Sequence, residues 1–555
     1  MLKAVELLRQ GRAEELWQMC CGYLKLSLEQ FMDIQQRLLL EQIRLLSGCT
    51  LGRKLMHGAR PETAAEFREQ VPLTTYADYC PELSEKREAP LPADPAFWVH
   101  TSGRSGDYPC KWVPITRAFA EELSTIMYGV GMFSNCRGWG DTSQLNDHPK
   151  FVYTVAPRPY ISGTMADILS MQTPTHYLPP LEEAEELSFE DRIRLGFKQA
   201  LSQGLDYFFG LSMVLVVVGN KFSDSSNKID LRPLLTQPRA LFRLARGMAK
   251  SKLARRQMLP KDIWPVKGII SGGLDSAVYR DKIKALWGRY PLDVYSSTEG
   301  GIIATQTWDY EGMTFVPSLN FLEFIPEQEH FKCRLDPEYQ PETVLLDEVE
   351  AGHSYEMVLS NFHGGALVRY RPGDMIRITS LRNERLGIDL PQMAFERRAD
   401  DLLDFVFVRL TEKTIWQAIE NTGVAYEDWT AFKKEGQPVL SLHLELKNGY
   451  QGNEAEIAAA IREQILSSDS QNKDTAALYR DDFANMIDFK VEVNLLSPGA
   501  FAHFTRQRQA EGADLAHLKP PHMNPSQRVL ALLTEKPAEV VRVGSGTGSE
   551  TAAVR

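Results

Sequence analysis

Between residues 60 and 395, short apolar runs that end in glycine, proline or serine alternate with stretches of helical periodicity. The runs include FVYTV from Phe151, VLVVVG from Val214, GIISGG from Gly268 and LDVYSS from Leu292. Runs of this length are typical of buried strands, and helical stretches such as Arg280 to Trp287 can connect parallel strands. This alternation predicts an α/β fold with a large, partly parallel sheet.

The two ends of the chain have different patterns. Residues 2 to 47 carry apolar positions at spacings of three and four, which predicts a helical lead-in. After residue 400, Leu440, Leu442 and Leu444 alternate with polar residues, which predicts strands with one wet face in a small α+β domain. We therefore predict a helical lead-in packed on the large domain (1–60), the large α/β domain (61–397), the smaller domain (398–535) and a disordered tail (536–555).

Composition limits the partners. The 62 lysines and arginines against 73 aspartates and glutamates give a net charge of −11, which disfavours binding to nucleic acid. The most apolar run, Phe208 to Val218, is shorter than the roughly 20 residues of a membrane helix, and the N-terminus lacks an apolar signal core. The 7 cysteines form no CxxC pair. We therefore expect a cytoplasmic protein with reduced thiols and without a nucleic-acid or membrane partner.

Two glycine-containing strings could surround a nucleotide. TSGRSGDYPCK, Thr101 to Lys111, offers backbone N–H groups, hydroxyls and one lysine to phosphate oxygens, although an ordinary turn explains it equally well. In ISGGLDSA, two glycines after an apolar strand allow a planar base to approach the backbone, although most such pairs are simply turns. The candidate residues are Ser102, Gly103, Ser105, Gly106, Lys111, Gly272 and Gly273.

Two further strings supply a ring, hydroxyls and carboxylates. In YSSTEGG, the Tyr295 ring can stack on adenine, Thr298 can bond a phosphate beside Ser297, and Glu299 is a hard oxygen ligand suited to Mg²⁺. In YRPGD, Asp374 follows a turn and can accept from both vicinal hydroxyls of a ribose. A strand end with a solvated glutamate and a plain β-turn are the alternatives for these two strings.

The order of these four strings resembles that of the acyl-adenylate-forming superfamily, which includes acyl-CoA synthetases and peptide-synthetase adenylation domains. Further strings resemble one branch of it, the Gretchen Hagen family of acyl acid-amido synthetases. They are VPLTTYADY from Val71, KWVP from Lys111, FLEFIP from Phe321 and MAFERRADDLLDF from Met393. The resemblance extends from about residue 60 to 530.

The resemblance assigns roles residue by residue. It implies a phosphate loop at Ser102 to Lys111, adenylate contacts at Tyr295 and Thr298, a magnesium carboxylate at Glu299 and a ribose carboxylate at Asp374. Arg398, or Arg397 if the register shifts by one, corresponds to an arginine that contacts the nucleotide beside a hinge at residues 398–401. Lys519, within HLKPPHM, corresponds to the lysine of a mobile small domain that meets the α-phosphate during adenylation.

The implied activity is that of an ATP-dependent ligase with Mg²⁺, which forms an acyl-AMP from a carboxylic acid and transfers the acyl group to an amine, expected to be an amino acid. The alternative enzyme is a thioester-forming ligase similar to acyl-CoA synthetases, which shares the first half-reaction and differs only in the acceptor. Two departures from the family pattern, Arg104 and a phosphate loop lengthened at Cys110, also keep a non-catalytic nucleotide-binding regulator open. The sequence leaves the oligomeric state open, a monomer included, and assigns no role to Glu323.

Overall fold

The computed structural model describes residues 3–101, 111–187, 189–210, 212–225, 237–271, 276–336, 339–399, 403–404, 409–410, 412–434, 437–447, 449–450, 452–467, 489–510 and 522–534. The chain divides into two compact units, Met1–Asp400 and Asp401–Arg555. Within the described ranges, no helix combines the length and the apolarity needed to cross a bilayer.

The first unit begins with helices that pack on its sheet. The third helix starts with a capping box, in which the Ser27 hydroxyl accepts from Gln30 N–H at 3.2 Å and the Gln30 side chain accepts from Ser27 N–H at 3.0 Å. Its buried Gln35 exchanges hydrogen bonds with the backbone of Asn320 and Leu322, at 2.8 and 2.9 Å, and thereby attaches the helix to a strand. These helices are α1 (Ala4–Arg9), α2 (Ala13–Cys21), α3 (Leu28–Gly48), α4 (Thr50–Leu55) and α5 (Ala64–Gln70).

Within the described residues, the first unit has a two-stranded hairpin and one mixed sheet of eleven strands. The hairpin is β1 (Pro95–His100) with β2 (Trp112–Thr116), and the sheet is formed by β3 (Lys150–Tyr153), β4 (His176–Leu178), β5 (Tyr207–Gly210), β6 (Gly268–Ser271), β7 (Leu292–Ser297), β8 (Gly301–Thr305), β9 (Met313–Phe315), β10 (Asn320–Pro326), β11 (Ser354–Asn361), β12 (Asp374–Ser380) and β13 (Gln392–Arg398). The order is β10-β11-β12-β13-β9-β8-β7-β6-β5-β3-β4. Strands β3 to β7 pair in parallel, and the pairs from β7 through β8 to β10 are antiparallel, which confirms the predicted partly parallel α/β sheet.

The remaining helices of the first unit connect and cover these strands. They are α6 (Arg117–Phe133), α7 (Ile161–Ser170), α8 (Leu181–Glu186), α9 (Phe189–Gln203), α10 (Ser212–Ser225), α11 (Pro238–Leu253), α12 (Pro260–Ile263), α13 (Ser276–Trp287) and α14 (Glu327–Leu335). The run VLVVVG lies in α10, so its prediction as a strand was wrong. The helix packs so closely on α13 that a Cβ built at Gly219 would lie 2.8 Å from Leu286, and Trp287 donates to the Leu215 carbonyl at 3.0 Å. Because the run lies in a buried part of the helix, it has no polar residues at helical spacing. A short apolar run of this kind has the same sequence pattern as a buried strand.

The second unit is a small α+β domain, as predicted. It contains β14 (Leu403–Asp404), β15 (Arg409–Leu410), α15 (Glu412–Asn421), β16 (Tyr426–Lys433), β17 (Val439–Leu446), α16 (Glu454–Ser467), β18 (Lys490–Leu495), α17 (Ala500–Ala510) and α18 (Gln527–Thr534). Strand β17 pairs antiparallel with β16 and parallel with β18. The predicted wet face of β17 is wrong, because Ser441 and Glu445 are buried. The Glu445 carboxylate accepts from the N–H groups of Gly499 and Phe501 at the start of α17, at 2.5 and 2.9 Å, and so that helix covers this face.

Candidate active site

The turn between β7 and β8 carries two of the predicted site residues, Thr298 and Glu299. Ser297 ends β7, and its hydroxyl oxygen accepts from the N–H of Gly300 at 2.9 Å, which closes the turn. Gly301 starts β8 with φ at 64°, in the left-handed region that glycine adopts without steric cost. The turn therefore needs the glycine that the string YSSTEGG supplies.

Two buried asparagines fix this turn from the neighbouring strands. The Asn361 amide donates to the Glu299 carbonyl at 2.9 Å, and the Asn320 amide donates to the Gly300 carbonyl at 2.7 Å. The Asn361 amide also donates to the Asn320 side-chain oxygen at 2.9 Å, so the pair forms one network. Buried hydrogen bonds of this kind hold the backbone of Glu299 and Gly300 in one arrangement.

Asp374 and Tyr295 meet in the interior of the first unit. The Tyr295 hydroxyl donates to Asp374 Oδ2 at 2.8 Å, and the two residues are only 6% and 5% exposed. Asp374 begins β12 directly after Gly373, whose φ of 78° makes the turn in YRPGD. The Tyr295 ring packs against Phe395 with 5.8 Å between centroids. Two strings separated by about 80 positions of chain therefore join at one carboxylate.

Lys111 connects the predicted phosphate loop to Tyr370 and, through that hydroxyl, to Glu299. Its Nζ donates to the Tyr370 hydroxyl at 3.4 Å, and that hydroxyl donates to Glu299 Oε1 at 3.4 Å. Thr101 N–H donates to the Lys111 carbonyl at 3.1 Å, and Lys111 N–H donates to the Thr101 hydroxyl at 3.1 Å. The two ends of the loop are thus held together beside Tyr370, the first residue of YRPGD.

Several predicted residues lie outside the described part of the chain. They are Ser102, Gly103, Ser105, Gly106, Gly272, Gly273 and Lys519, together with Arg104 and Cys110. Arg398 and Arg397 are described only as backbone positions of β13. In the register of β12 with β13, Arg398 lies directly opposite Asp374, and Ala399 N–H donates to the Gly373 carbonyl at 2.8 Å. The backbone of Arg398 is therefore next to the predicted ribose carboxylate.

The chain after Lys519 is attached to β16 in the second unit. His522 donates through Nδ1 to the Glu412 carboxylate at 2.6 Å and through Nε2 to the Asp428 carboxylate at 2.7 Å, and its ring stacks on Trp429 at 4.5 Å. Although burial lowers the pKa of His522, the hydrogen bonds to the two carboxylates outweigh it and raise this pKa to about 9. A charged His522 thus fixes the chain three positions after Lys519.

Buried ion pairs hold the chain on both sides of Tyr370. Arg369 binds Glu323 through its guanidinium at 2.8 Å, and Glu323 is completely buried. The sequence assigned no role to Glu323, and the structure places it in this buried ion pair. Arg371 binds Glu356 through two hydrogen bonds of 2.9 and 2.7 Å. Burial by itself would raise the pKa of Glu356, but hydrogen bonds from a histidine and from Arg371 outweigh it and hold this pKa below its usual value.

Sequence reasoning gave no role to three residues of this arrangement. Tyr370 connects Lys111 to Glu299, and its position as the first letter of YRPGD was the available signal. Asn320 and Asn361 position the turn, but an asparagine at the start or the end of a strand carries no signal of its own. Their function depends on strands that become neighbours only in the folded sheet.

Glu299 fits a magnesium ion that is shared with phosphates. Mg²⁺ usually takes one or two protein carboxylates and completes its ligands with phosphate oxygens and water. Glu299 supplies one buried carboxylate, and the described residues contain no group of three or more His, Cys, Asp or Glu that could hold a metal by themselves. A single carboxylate such as that of Glu299 fits a metal whose other ligands are phosphate oxygens and water.

An apolar pocket opens beside the same strands. It has an empty volume of about 940 Å³, its mouth included, and lies between helices α6 and α7 and strands β3, β5, β6, β7 and β8. Val294 and Ser296 line it and alternate along β7 with Tyr295. Ser296 is exposed to solvent, whereas Phe151 and Tyr207 are buried, so the mouth lies at the end of β7 that leads into Thr298 and Glu299. Most of the lining surface is apolar and suits an organic body rather than an ion.

Comparisons with known proteins match separate parts of the chain. Residues 22–167 match the family model of the GH3 family N-terminal domain, and residues 313–398 match that of the GH3 family central domain. The jasmonoyl-L-amino acid synthetase JAR4 of Nicotiana attenuata is 32% identical over 180 residues, which are 31% of this chain and 29% of that protein. The chain thus matches less than two thirds of the length of this curated relative.

Solved structures match most of the chain, and two of them represent two kinds of ligase. The AtGH3.15 acyl acid amido synthetase in complex with 2,4-DB has a TM-score of 0.62 at 16% identity, over 90% of this chain and 93% of that one. A 2-hydroxyisobutyryl-CoA ligase in the postadenylation state with 2-HIB-AMP has a TM-score of 0.53 at 15% identity, over 85% and 86% of the two chains. At these identities the likeness shows a shared fold.

Proposed function

We propose that the chain is a member of the GH3 (Gretchen Hagen) family, whose N-terminal and central domain models match residues 22–167 and 313–398, and that it is an ATP-dependent ligase forming an amide from a carboxylic acid and an amine. The acid would first be activated as acyl-AMP, and an amino acid is the proposed acceptor. The observation that carries this proposal is that Lys111 and Glu299 both contact Tyr370, while Tyr295 contacts Asp374, so that YSSTEGG and YRPGD meet at both of these contacts.

Each converging side chain suits one part of ATP. A buried carboxylate oriented by the Tyr295 hydroxyl can accept from both ribose hydroxyls, which is the proposed role of Asp374. Lys111 and the loop Ser102, Gly103, Ser105 and Gly106 would bind phosphate oxygens, and Thr298 and Ser297 would add hydroxyls. Gly272 and Gly273 would lie against the base. The ring of Tyr295 would contact the adenylate, while its hydroxyl donates to Asp374.

Glu299 would hold Mg²⁺, which neutralises charge on the phosphates when it is bound. The substrate carboxylate attacks the α-phosphorus, the bond to the β-phosphate oxygen breaks, and acyl-AMP and pyrophosphate result. Lys111, Arg398 and Lys519 are the proposed cationic groups that stabilise the negative charge of this step. Catalysis by such groups consists of positioning and electrostatic stabilisation.

The apolar pocket is the proposed place for the body of the acid. Its mouth lies at the end of β7, where Thr298 and Glu299 follow, and so an acid inserted with its carboxylate outward would present it to the phosphates. In the second step, the amine attacks the acyl carbonyl and AMP leaves with the bonding electrons. The amine gives up a proton, and the product is an amide.

The proposal also covers the place of the reaction and a movement of the second unit, and it has one alternative. The reaction would occur in the cytoplasm and would use neither nucleic acid nor a membrane. Movement of the second unit about residues 398–401 would remove Lys519 after adenylation and admit the amine. The runner-up function is a thioester-forming ligase, because a CoA ligase shares the fold.

The test is a screen for acid-dependent release of pyrophosphate from ATP with aryl, indolyl and fatty acids. A positive acid is then incubated with a panel of amino acids or with CoA, and the product mass distinguishes amide from thioester. Release that depends on an acid would exclude a non-catalytic regulator. No release with any acid, although ATP binds, would contradict the proposed ligase.

A further inference from the structure

The inner end of the apolar pocket contains polar atoms that the fold does not use. Tyr128 of α6 and Thr173, just before β4, line this pocket and are 7% and 2% exposed. The Tyr128 hydroxyl, the Thr173 hydroxyl and the side-chain oxygen of Asn146 are buried and have no hydrogen-bond partner among the described residues. Because buried polar atoms are nearly always paired, three such atoms in one pocket point to a bound polar group.

These three residues lie away from the mouth. Asn146 is shortly before β3, and its amide N–H donates to Asp206, just before β5, at 3.2 Å. Parallel strands have their N-terminal ends at one edge of a sheet and their C-terminal ends, with Ser296, at the other. Tyr207 at the start of β5 accepts from Asn135 at 2.6 Å, and burial together with the neighbouring Asp206 and Tyr128 raises the pKa of its hydroxyl. Tyr128 is therefore close to Tyr207, at the inner edge.

The donors and acceptors of Tyr128, Thr173 and Asn146 determine which polar group of a ligand can pair with all three residues. The two hydroxyls can each donate and accept, whereas the oxygen of Asn146 only accepts. A ligand hydroxyl can accept from Tyr128 or Thr173 and donate to Asn146, so it can satisfy both kinds of atom. A carbonyl would leave the Asn146 acceptor unpaired, and a carboxylate would bring a charge into an apolar lining.

We propose that the acid substrate of this enzyme carries a hydroxyl group at the end remote from its carboxylate, and that Tyr128, Thr173 and Asn146 recognise it. This inference rests on the proposed function, since it assumes that the carboxylate lies at the mouth. The pocket is lined by Phe151, Val152 and Tyr153 of β3 and by Thr154 and Val155 directly after that strand. Its mainly apolar lining suits one aromatic ring with a short alkyl chain between the ring and the carboxylate.

The test compares two acids that differ by one oxygen atom. Isothermal titration of the full chain without ATP measures the Kd of 4-(4-hydroxyphenyl)butanoic acid and of 4-phenylbutanoic acid. A site that hydrogen-bonds a hydroxyl discriminates against the analogue that lacks it, so we expect the hydroxylated acid to bind roughly 10- to 100-fold more tightly. Equal affinities would overturn the proposal, because water would then satisfy the three polar atoms.

Variants locate the recognition. Tyr128→Phe and Thr173→Val, which keep the size of the side chain, should each reduce the difference in Kd between the two acids. Tyr23→Phe is the matched control, because the Tyr23 hydroxyl is also buried without a partner among the described residues, yet Tyr23 does not line the pocket. A full preference retained in both pocket variants would overturn the role of these residues, even if one of them is less stable.

Pyrophosphate release measured in parallel separates this inference from the proposed function. Preferential binding of the hydroxylated acid without release by any acid would contradict the ligase and retain the hydroxyl site. Acid-dependent release together with equal Kd values for the two acids would support the ligase and overturn the hydroxyl site.

Discussion

Replacing Asp374 by asparagine should raise the KM for ATP and leave the fold intact. The amide oxygen of the new side chain can accept the 2.8 Å hydrogen bond from Tyr295, so the buried contact of the native protein is retained. An amide nitrogen then replaces the second carboxylate oxygen, and it cannot accept from a ribose hydroxyl. The variant therefore loses a charged acceptor while the shape of the site is conserved.

The magnitude follows from the type of bond that is lost. A hydrogen bond to a charged group contributes about 1.5 to 3 kcal/mol, and about 1.36 kcal/mol corresponds to a factor of ten. The KM for ATP should consequently rise roughly 10- to 150-fold. The assay is acid-dependent pyrophosphate release at increasing concentrations of ATP.

A substrate without the ribose hydroxyls tests the cause. With 2′,3′-dideoxy-ATP, the native protein and Asp374→Asn should have similar KM values, because the group that Asp374 binds is missing. Asp309→Asn is the control, since Asp309 is also a buried aspartate that accepts from a hydroxyl, that of Thr307 at 2.8 Å, away from the site. An unchanged KM for ATP, or a difference between the two proteins that persists with the dideoxy analogue, would refute the ribose role.

Three other predictions concern the ion pairs and the second unit. Arg369→Met leaves the Glu323 carboxylate buried and unpaired, which should cost about 3 to 5 kcal/mol of unfolding free energy; an unchanged Tm in calorimetry would contradict this. Because the folded-state pKa of His522 is raised from 6.5 to about 9, its stabilisation is complete below pH 6.5 and is lost as the pH rises through 9. His522→Gln should remove this dependence in urea titrations, and a dependence that remains unchanged would assign it to other groups. Lys519→Ala should slow acyl-AMP formation far more than amide formation from synthetic acyl-AMP, and equal slowing of the two would argue against its role at the α-phosphate.

The fold class was accessible from the sequence because its signals are local. The alternation of apolar runs with helical stretches predicted the mixed sheet, and the leucine alternation from Leu440 predicted β17. The signals failed where packing adds a second buried face. The run from Val214 forms a helix that packs against α13, and Ser441 is buried although it was predicted to face solvent. Both predictions failed because the pattern of one element does not show which of its faces a neighbouring helix covers.

The sequence by itself determined which chemical groups stand together in the short strings of the proposed nucleotide site. The turn glycines Gly301 and Gly373 and the carboxylates of Glu299 and Asp374 are adjacent in short strings, and turn chemistry acts over a few residues. Only the tertiary structure decided that Tyr295 orients Asp374. The same is true of the pairing of Glu323 with Arg369 and of the polar inner end of the pocket, since each depends on strands and helices that are distant in the chain. Each such contact needs complementary atoms from two separate elements. A local sequence pattern describes one of these elements and does not identify its partner.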